Sequence, residues 1–401
     1  MGSFLLLLAM GTMSAAATTD APFFQHELIF PPQPQHVHSS SIIECPNGDF
    51  LCAWFQGSGE RKSADVVIRG ARLKKNTTTW SEPFLLADTP EFPDCNPVLF
   101  IDAQQELWLF WIAVLAESWE DSLLRCRKAK DYQNDGPPQW YWQDTLVLKP
   151  GNEFADTLEQ TYKNLIPTMP GLEADFGAYT IPPAQQLIDA ARDPSKTQRG
   201  WMTRTHLLTL PSGRIVLPLY SDGFYVGLAA LSDDQGTSWR PSAPIPGALL
   251  NQPTIVRKKD GTLIAYMREE GDLKHRVLKS QSTDDGETWS IATYTDILNP
   301  NASLEVIALQ DGRWVMAYND SESDRNTLAL SLSDDEGNSW KWTRHLEQKP
   351  AGNFHYPSLI QSRNGHIHIT YTHSIKDGKS IKHVELDPEW ILQEEASPAH
   401  P

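Results

Sequence analysis

The chain has 401 residues, 40% of them hydrophobic, and carries 51 Asp and Glu against 34 Lys and Arg, a formal charge of −17. That excess of acid repels nucleic acid and anionic membrane, so neither is expected as a partner, and an anionic ligand would need local arginines to hold it. The length exceeds that of a common single domain, yet closed all-β folds run this long as one unit.

In chain order, an apolar run from Phe4 to Met10 is followed by the small residues Ser14, Ala15, Ala16 and Ala17. An apolar stretch ending in an A-x-A-like site marks an export signal, so residues 1–20 are expected to be a cleaved signal peptide and the mature protein secreted or periplasmic. No later apolar run approaches the ~20 residues that cross a bilayer. Cys45, Cys52, Cys95 and Cys126 are too few and too irregular for a disulfide scaffold, so buried free thiols are expected. Asn76, Asn301 and Asn319 each open an N-x-S/T sequon.

From residue 25 to 390 a polar turn followed by a short apolar strand recurs. The pairs are PNGD with FLCAWF, AQQE with LWLFWI, PSGR with IVLPLY, KDGT with LIAYM, QDGR with WVMAYN, and RNGH with IHITYT. Another short strand precedes each turn, giving six hairpins. Six such units closed in a ring leave no exposed sheet edge at the centre, and a six-bladed all-β propeller is the expected fold. The spacing between the second and third hairpins is about double, which predicts an insertion in blade two at about 150–200, with a helix over 183–192 that would serve as a lid or as a packed surface loop.

An octapeptide S-x-D-x-G-x-x-W starts at Ser232, Ser282 and Ser333, 50 and 51 residues apart. Ser and Asp can bond amides inside a tight turn, Gly takes positive φ, and Trp239, Trp289 and Trp340 can plug between sheets.

In a propeller the first strand of each blade lines the axis, so its start and the end of the second strand meet on one face. The strand starts read His38, Asn96, Arg204 with His206, Asn251 with Gln252, Glu305, and His355 with Tyr356. The second strands end at Gln56, Trp111, Tyr220 with Asp222, Arg268, Asn319 with Asp320, and Tyr371 with His373. Polar and aromatic groups thus converge where an axial pocket belongs. His36 and His38 form H-x-H, but no third or fourth ligand accompanies them, so no metal centre and no cofactor is expected.

The octapeptides are similar to the Asp boxes of sialidases, and the chain from about His36 to His383 resembles one propeller of that superfamily. The resemblance implies a carbohydrate substrate, an arginine clamp for its carboxylate, a general-acid Asp and a Tyr nucleophile activated by a Glu. A neutral phenol can approach an anomeric carbon beside a carboxylate where an anion would be repelled. Tyr356, in Phe354-His355-Tyr356-Pro357-Ser358, matches the nucleophile; Arg268 and Arg325 match two clamp residues; Asp65 matches the acid, with Glu60 of the same loop as the alternative. Where the family opens blade one with Arg-Ile-Pro, this chain has His38-Ser39-Ser40, and where the activating Glu belongs it has Gln252. The expected base is therefore Glu305, and Arg204, His38, Gln252, Tyr220 and Asp222 complete the expected substrate-binding set. Three functions fit these residues: exo-glycosidase for a terminal acidic sugar, lyase on a uronate with His38, His206, Tyr220 and Arg204, or a glycan-binding propeller without catalysis.

Overall fold

The computed structural model describes residues 21–165, 184–247, 249–271 and 274–393. The expected signal at 1–20 lies outside them.

Each hairpin read from the sequence becomes the inner half of a four-stranded antiparallel blade. Blade one is β2 (His36–Glu44), β3 (Phe50–Gly57), β4 (Val67–Leu73) and β5 (Phe84–Ala87). Blade two is β6 (Asp94–Ile101), β7 (Leu107–Ala113), β8 (Leu123–Asp131) and β9 (Gln139–Thr145). Blade three runs β10 (Leu208–Thr209), β11 (Ile215–Ser221), β12 (Val226–Ser232), β13 (Arg240–Pro241), and blade four β14 (Leu250–Arg257), β15 (Leu263–Glu269), β16 (Arg276–Ser282), β17 (Thr293–Leu298). Blade five is β18 (Glu305–Ala308), β19 (Trp314–Tyr318), β20 (Thr327–Ser333) and β21 (Trp342–Gln348). Blade six combines β22 (Asn353–Gln361), β23 (Ile367–Ile375) and β24 (Gly378–Leu386) with β1 (Phe24–Leu28), which pairs with β24 and closes the ring. The result is the expected six-bladed propeller.

The second strands are buried on both faces, which is why they read as continuous apolar runs rather than alternating ones. Trp54, Trp108, Trp111 and Trp314 are among the largest fully buried side chains. The octapeptides form the turns between third and fourth strands. In each, the Ser hydroxyl accepts from the glycine amide, at 2.7 Å for Ser232 and Gly236, 3.0 Å for Ser282 and Gly286, and 2.9 Å for Ser333 and Gly337. The three glycines hold φ of +81°, +85° and +74°. At Gly236 and Gly337 a Cβ would strike Trp108 and Tyr266 of the preceding blade, so the turn must be glycine for space as well as for φ. Trp289 is 7% exposed, and burying a ring of 150–250 Å² contributes ~4–6 kcal/mol before entropy is counted. None of the three box tryptophans lines the axial cavity.

The extra segment holds α1 (Asn152–Leu165), α2 (Ala184–Ala191) and the short α3 (Pro194–Thr197). It follows β9 and precedes β10, so it stands between blades two and three, outside the ladder of blade two. Phe154, Leu158 and Tyr162, four residues apart, share the buried face of α1, and the Tyr162 hydroxyl donates to the Phe224 carbonyl at 2.8 Å. All four cysteines are free and buried. Among the described residues no helix is long and apolar enough to cross a membrane, and no cluster of His, Cys, Asp and Glu could hold a metal.

Candidate active site

Four of the inner strands carry the same local distortion. The register of β2, β6, β14 and β22 against its neighbour slips after His38, Cys95, Asn251 and His355. At each slip a residue with a side chain adopts left-handed φ: Ser39 at 55°, Asn96 at 50°, Gln252 at 54° and Tyr356 at 57°. Such a conformation costs on the order of 1–2 kcal/mol for a non-glycine residue and is retained where it re-aims a side chain. Proline follows in three of the four, at Pro97, Pro253 and Pro357, where the bulge leaves the amide without a ladder partner.

The bulges deliver Asn96, Gln252 and Tyr356 to one cavity of about 180 Å³ on the axis. Seven of the expected residues line it: His38, Tyr220, Asp222, Gln252, Arg268, Arg325 and Tyr356. The Tyr356 phenolic oxygen accepts from Gln252 Nε2 at 3.1 Å and from Arg268 Nη1 at 3.0 Å. The Tyr220 oxygen accepts from the same Gln252 nitrogen at 3.2 Å and from Asn96 Nδ2 at 3.1 Å. Gln252 thus bridges the two phenols, and its own carbonyl oxygen is buried with no partner among the described residues. The Arg204 guanidinium lies 4.8 Å from the centre of the Tyr356 ring and that of Arg325 5.8 Å. Negative charge appearing on the Tyr356 oxygen is therefore met by fixed positive charge on several sides.

His38 brings an imidazole ring to the cavity wall. Its centroid is 4.0 Å from that of Tyr356, and its Nδ1 is 3.0 Å from the Thr372 hydroxyl. Burial, then the neighbouring His355, holds the His38 pKa well below the ordinary value of 6.5. Which of these two atoms donates follows the tautomer, and in the neutral ring one nitrogen keeps a lone pair.

The carboxylates separate into different environments. Glu270 pairs with Arg268, and Asn251 Nδ2 donates to Asp222 Oδ1 at 2.9 Å and to Glu270 Oε2 at 3.2 Å. Burial, then the charge of Glu270, pushes the Asp222 carboxyl up to about 7. Burial opposes the charge of Glu60 too, but its 2.9 Å contact with His36 outweighs this and holds the carboxyl below 4.5.

Three expected site residues are placed elsewhere. Asp65 does not line the cavity; its carboxylate accepts from the Ser58 amide at 2.9 Å and hydroxyl at 2.7 Å, and the carboxylate that this loop sends to the cavity is Glu60. Arg204 lies under the Tyr356 ring, donating to the Pro357 carbonyl at 2.7 Å. Glu305, 1% exposed, has no hydrogen bond to Tyr356: it accepts from the His206 amide at 2.8 Å, His206 Nδ1 at 2.9 Å and the Leu359 amide at 2.7 Å. His206 Nε2 reaches the Ile42 carbonyl at 2.9 Å, so the pair ties blades one, three, five and six together. Phe55, Trp119, Glu270 and Asn301 also line the cavity and were not among the expected ligand contacts. For Glu270 there was a signal, two residues beyond Arg268 on the same strand end.

Comparison with known proteins agrees with this architecture. A protein of unknown function from Dyadobacter fermentans superposes with a TM-score of 0.66 at 14% identity, covering 91% of this chain and 99% of that one. The NanB sialidase of Streptococcus pneumoniae gives 0.65 at 14% identity over 91% and 71% of the two chains. The intramolecular trans-sialidase of Ruminococcus gnavus gives 0.64 at 13% identity over 91% and 97%. Among curated proteins no relative is found. The profile of the BNR repeat-like domain matches residues 48–161 and 190–369, nearly three quarters of the sequence. On that match and on its six sialidase-like blades, the chain belongs to the BNR repeat-like domain family.

Proposed function

We propose that the protein is an exo-acting glycoside hydrolase that removes a terminal sugar bearing a carboxylate, sialic acid or a relative, with Tyr356 as nucleophile. The observation that carries this reading is the setting of the Tyr356 oxygen, held by Arg268 and Gln252 at a cavity surrounded by guanidinium groups. A cavity of about 180 Å³, smaller than the ~300 Å³ lower end of ordinary ligand sites, suits one sugar ring at a chain end. The sialidases among the structural neighbours support the same substrate class.

Arg268 and Arg325 both line the cavity and are the carboxylate ligands in this reading, although Arg268 also serves Tyr356 and Glu270. Gln252 cannot take the phenolic proton, and Glu305 does not touch the phenol. In this reading His38, whose ring packs against that of Tyr356, takes it. Tyr356→Phe should lower kcat on a 4-methylumbelliferyl sialoside by about 10³-fold or more with KM little changed. Undiminished turnover by this variant would remove Tyr356 from the mechanism.

One observation favours a second reading, β-elimination on a uronate. Among the described residues the phenol has no carboxylate partner, while an imidazole packs against its ring among arginines that can neutralise a substrate carboxylate. Mass spectrometry of the products separates the two, since hydrolysis adds water and elimination leaves an unsaturated sugar that absorbs in the near ultraviolet.

A further inference from the structure

We infer that Asp222, in place of a carboxyl from the blade-one loop, is the proton donor to the leaving group, and that the cavity on its far side receives that leaving group. This inference rests on the hydrolase reading above.

Asp222 lies in the turn after β11 and lines two cavities at once. One is the sugar pocket with Tyr356. The other, of about 290 Å³, is bounded by Glu120, by Leu187 and Ala190 of α2, by Lys196 of α3 and by Phe224. A group that protonates a glycosidic oxygen has to face both the ring being cleaved and the group departing, and among the described residues Asp222 is the titratable side chain shared by the two cavities. Its Oδ1 takes the Asn251 amide, and Oδ2 has no protein partner among the described residues. The extra segment between blades two and three therefore supplies one wall of a leaving-group site. The cavity combines an apolar surface from Leu187, Ala190 and Phe224 with Glu120 and Lys196, a combination suited to a neutral sugar with one apolar face and a rim of hydroxyls.

The alternatives are poorly disposed. Asp65 is bound twice by Ser58 away from the cavity, and Glu60 is paired with His36, which favours its ionised form. Asp222 has the opposite surroundings, since burial and Glu270 both favour the protonated form near neutrality.

In the first half-reaction the bond between the anomeric carbon and the leaving oxygen breaks, and its electron pair stays on that oxygen. Oxygen takes the Asp222 proton, the anomeric carbon bonds to the Tyr356 oxygen, and the phenolic proton passes to His38. In the second, water attacks the anomeric carbon and gives a proton to the Asp222 carboxylate. The carbon to Tyr356 bond breaks toward oxygen, and His38 returns its proton to the phenolate. The sum is addition of one water.

The test compares two probes, sialyllactose, whose leaving sugar needs a proton and a binding site, and sialyl fluoride, whose leaving group needs neither. Asp222→Asn, which keeps the oxygen that Asn251 bonds, should slow the first turnover of sialyllactose about 10²- to 10⁴-fold and the first-turnover release of fluoride, which precedes the use of Asp222 as base, less than tenfold. Wild-type cleavage of sialyllactose should fall as pH rises through about 7, where Asp222 loses its proton, and fluoride release should lack that limb. Ala190→Trp, which fills the second cavity, should raise KM for sialyllactose about tenfold and leave the fluoride unchanged. Equal losses on both probes, or none on either, would overturn the role of Asp222, and an unaltered KM in Ala190→Trp would overturn the leaving-group site. A wild type that cleaves neither probe overturns the hydrolase reading and this inference with it.

Discussion

Glu305→Gln removes the charge from the carboxyl that joins four blades. His206 donates from Nδ1 to Glu305 and from Nε2 to the Ile42 carbonyl, so both ring nitrogens carry hydrogen and the ring is an imidazolium opposite a carboxylate. Glutamine offers one carbonyl oxygen for three donors and turns its NH₂ toward one of them. Breaking one partner of such a buried pair costs about 3–5 kcal/mol. With unfolding entropy of about 2.1 cal/mol/K per residue over about 350 residues, ~4 kcal/mol corresponds to a Tm lower by ~5 °C. The pH dependence gives the sharper check. Burial disfavours the charged ring, but Glu305 outweighs it and raises the His206 pKa above 6.5. Its contribution is therefore complete below 6.5 and lost as pH climbs through the folded value. Burial likewise disfavours the carboxylate, but His206 holds Glu305 below 4.5, so that contribution is complete above 4.5 and lost as pH falls through the lower folded value. The Tm gap between wild type and variant, measured by calorimetry, should be widest between about pH 4.5 and 6.5 and should shrink toward pH 9. A gap below about 1 °C at pH 5.5, or one that stays constant to pH 9, would refute the hub. If Glu305 instead acts as the base, kcat falls by orders of magnitude while Tm hardly moves.

Arg325→Leu should weaken binding of a carboxylate-bearing sugar at least tenfold by calorimetry while a neutral analogue is unaffected, and Arg325→Lys should recover only part because it lacks the planar fork. His38→Ala should abolish most turnover, and adding Gln252→Glu should restore some of it by placing a carboxylate beside the Tyr356 oxygen, 3.1 Å from the present amide nitrogen; no rescue would argue that the phenolic proton leaves by another route. Asp335→Ala deletes bonds from Ser333 Oγ at 2.8 Å and the Ser339 amide at 2.8 Å on the periphery, so it should lower Tm by a degree or two with kcat unchanged.

The blades were legible because each is local. A turn and two short strands are written within about twenty residues, and the octapeptide repeats its side-chain bonds at all three copies. Second-strand ends were read correctly at Tyr220, Asp222 and Arg268, but first-strand starts reached the cavity only where the inner strand carries a bulge. In β14 and β22 the left-handed residue turns Gln252 and Tyr356 inward, and the residue-proline pair marks the place. Strands β10 and β18 pair without a slip, so the same strand-start rule put Arg204 and Glu305 in the cavity when they lie beneath it. Asp65 belongs to a loop with no period to read, and a single hydroxyl at Ser58 decides where its carboxylate goes. The second cavity depends on how α2 meets the turn at Ser221–Phe224, a contact between segments that no spacing encodes.

Because β1 completes blade six, Phe24 pairs with Leu386 across almost the whole chain. Until that seam forms, β24 presents an unpaired edge, and its closure is among the longest-range pairings in the ring. The cavity straddles the same closure. His38 belongs to the first blade and Tyr356 to the sixth, and their rings touch only across it, as do the His38 ring and Thr372. A partly assembled propeller of five sound blades would bring the guanidinium groups together without the imidazole beside the phenol. Gain of activity during refolding would then time the locking of the circle, and loss of activity on mild heating would precede the melting of the blades themselves.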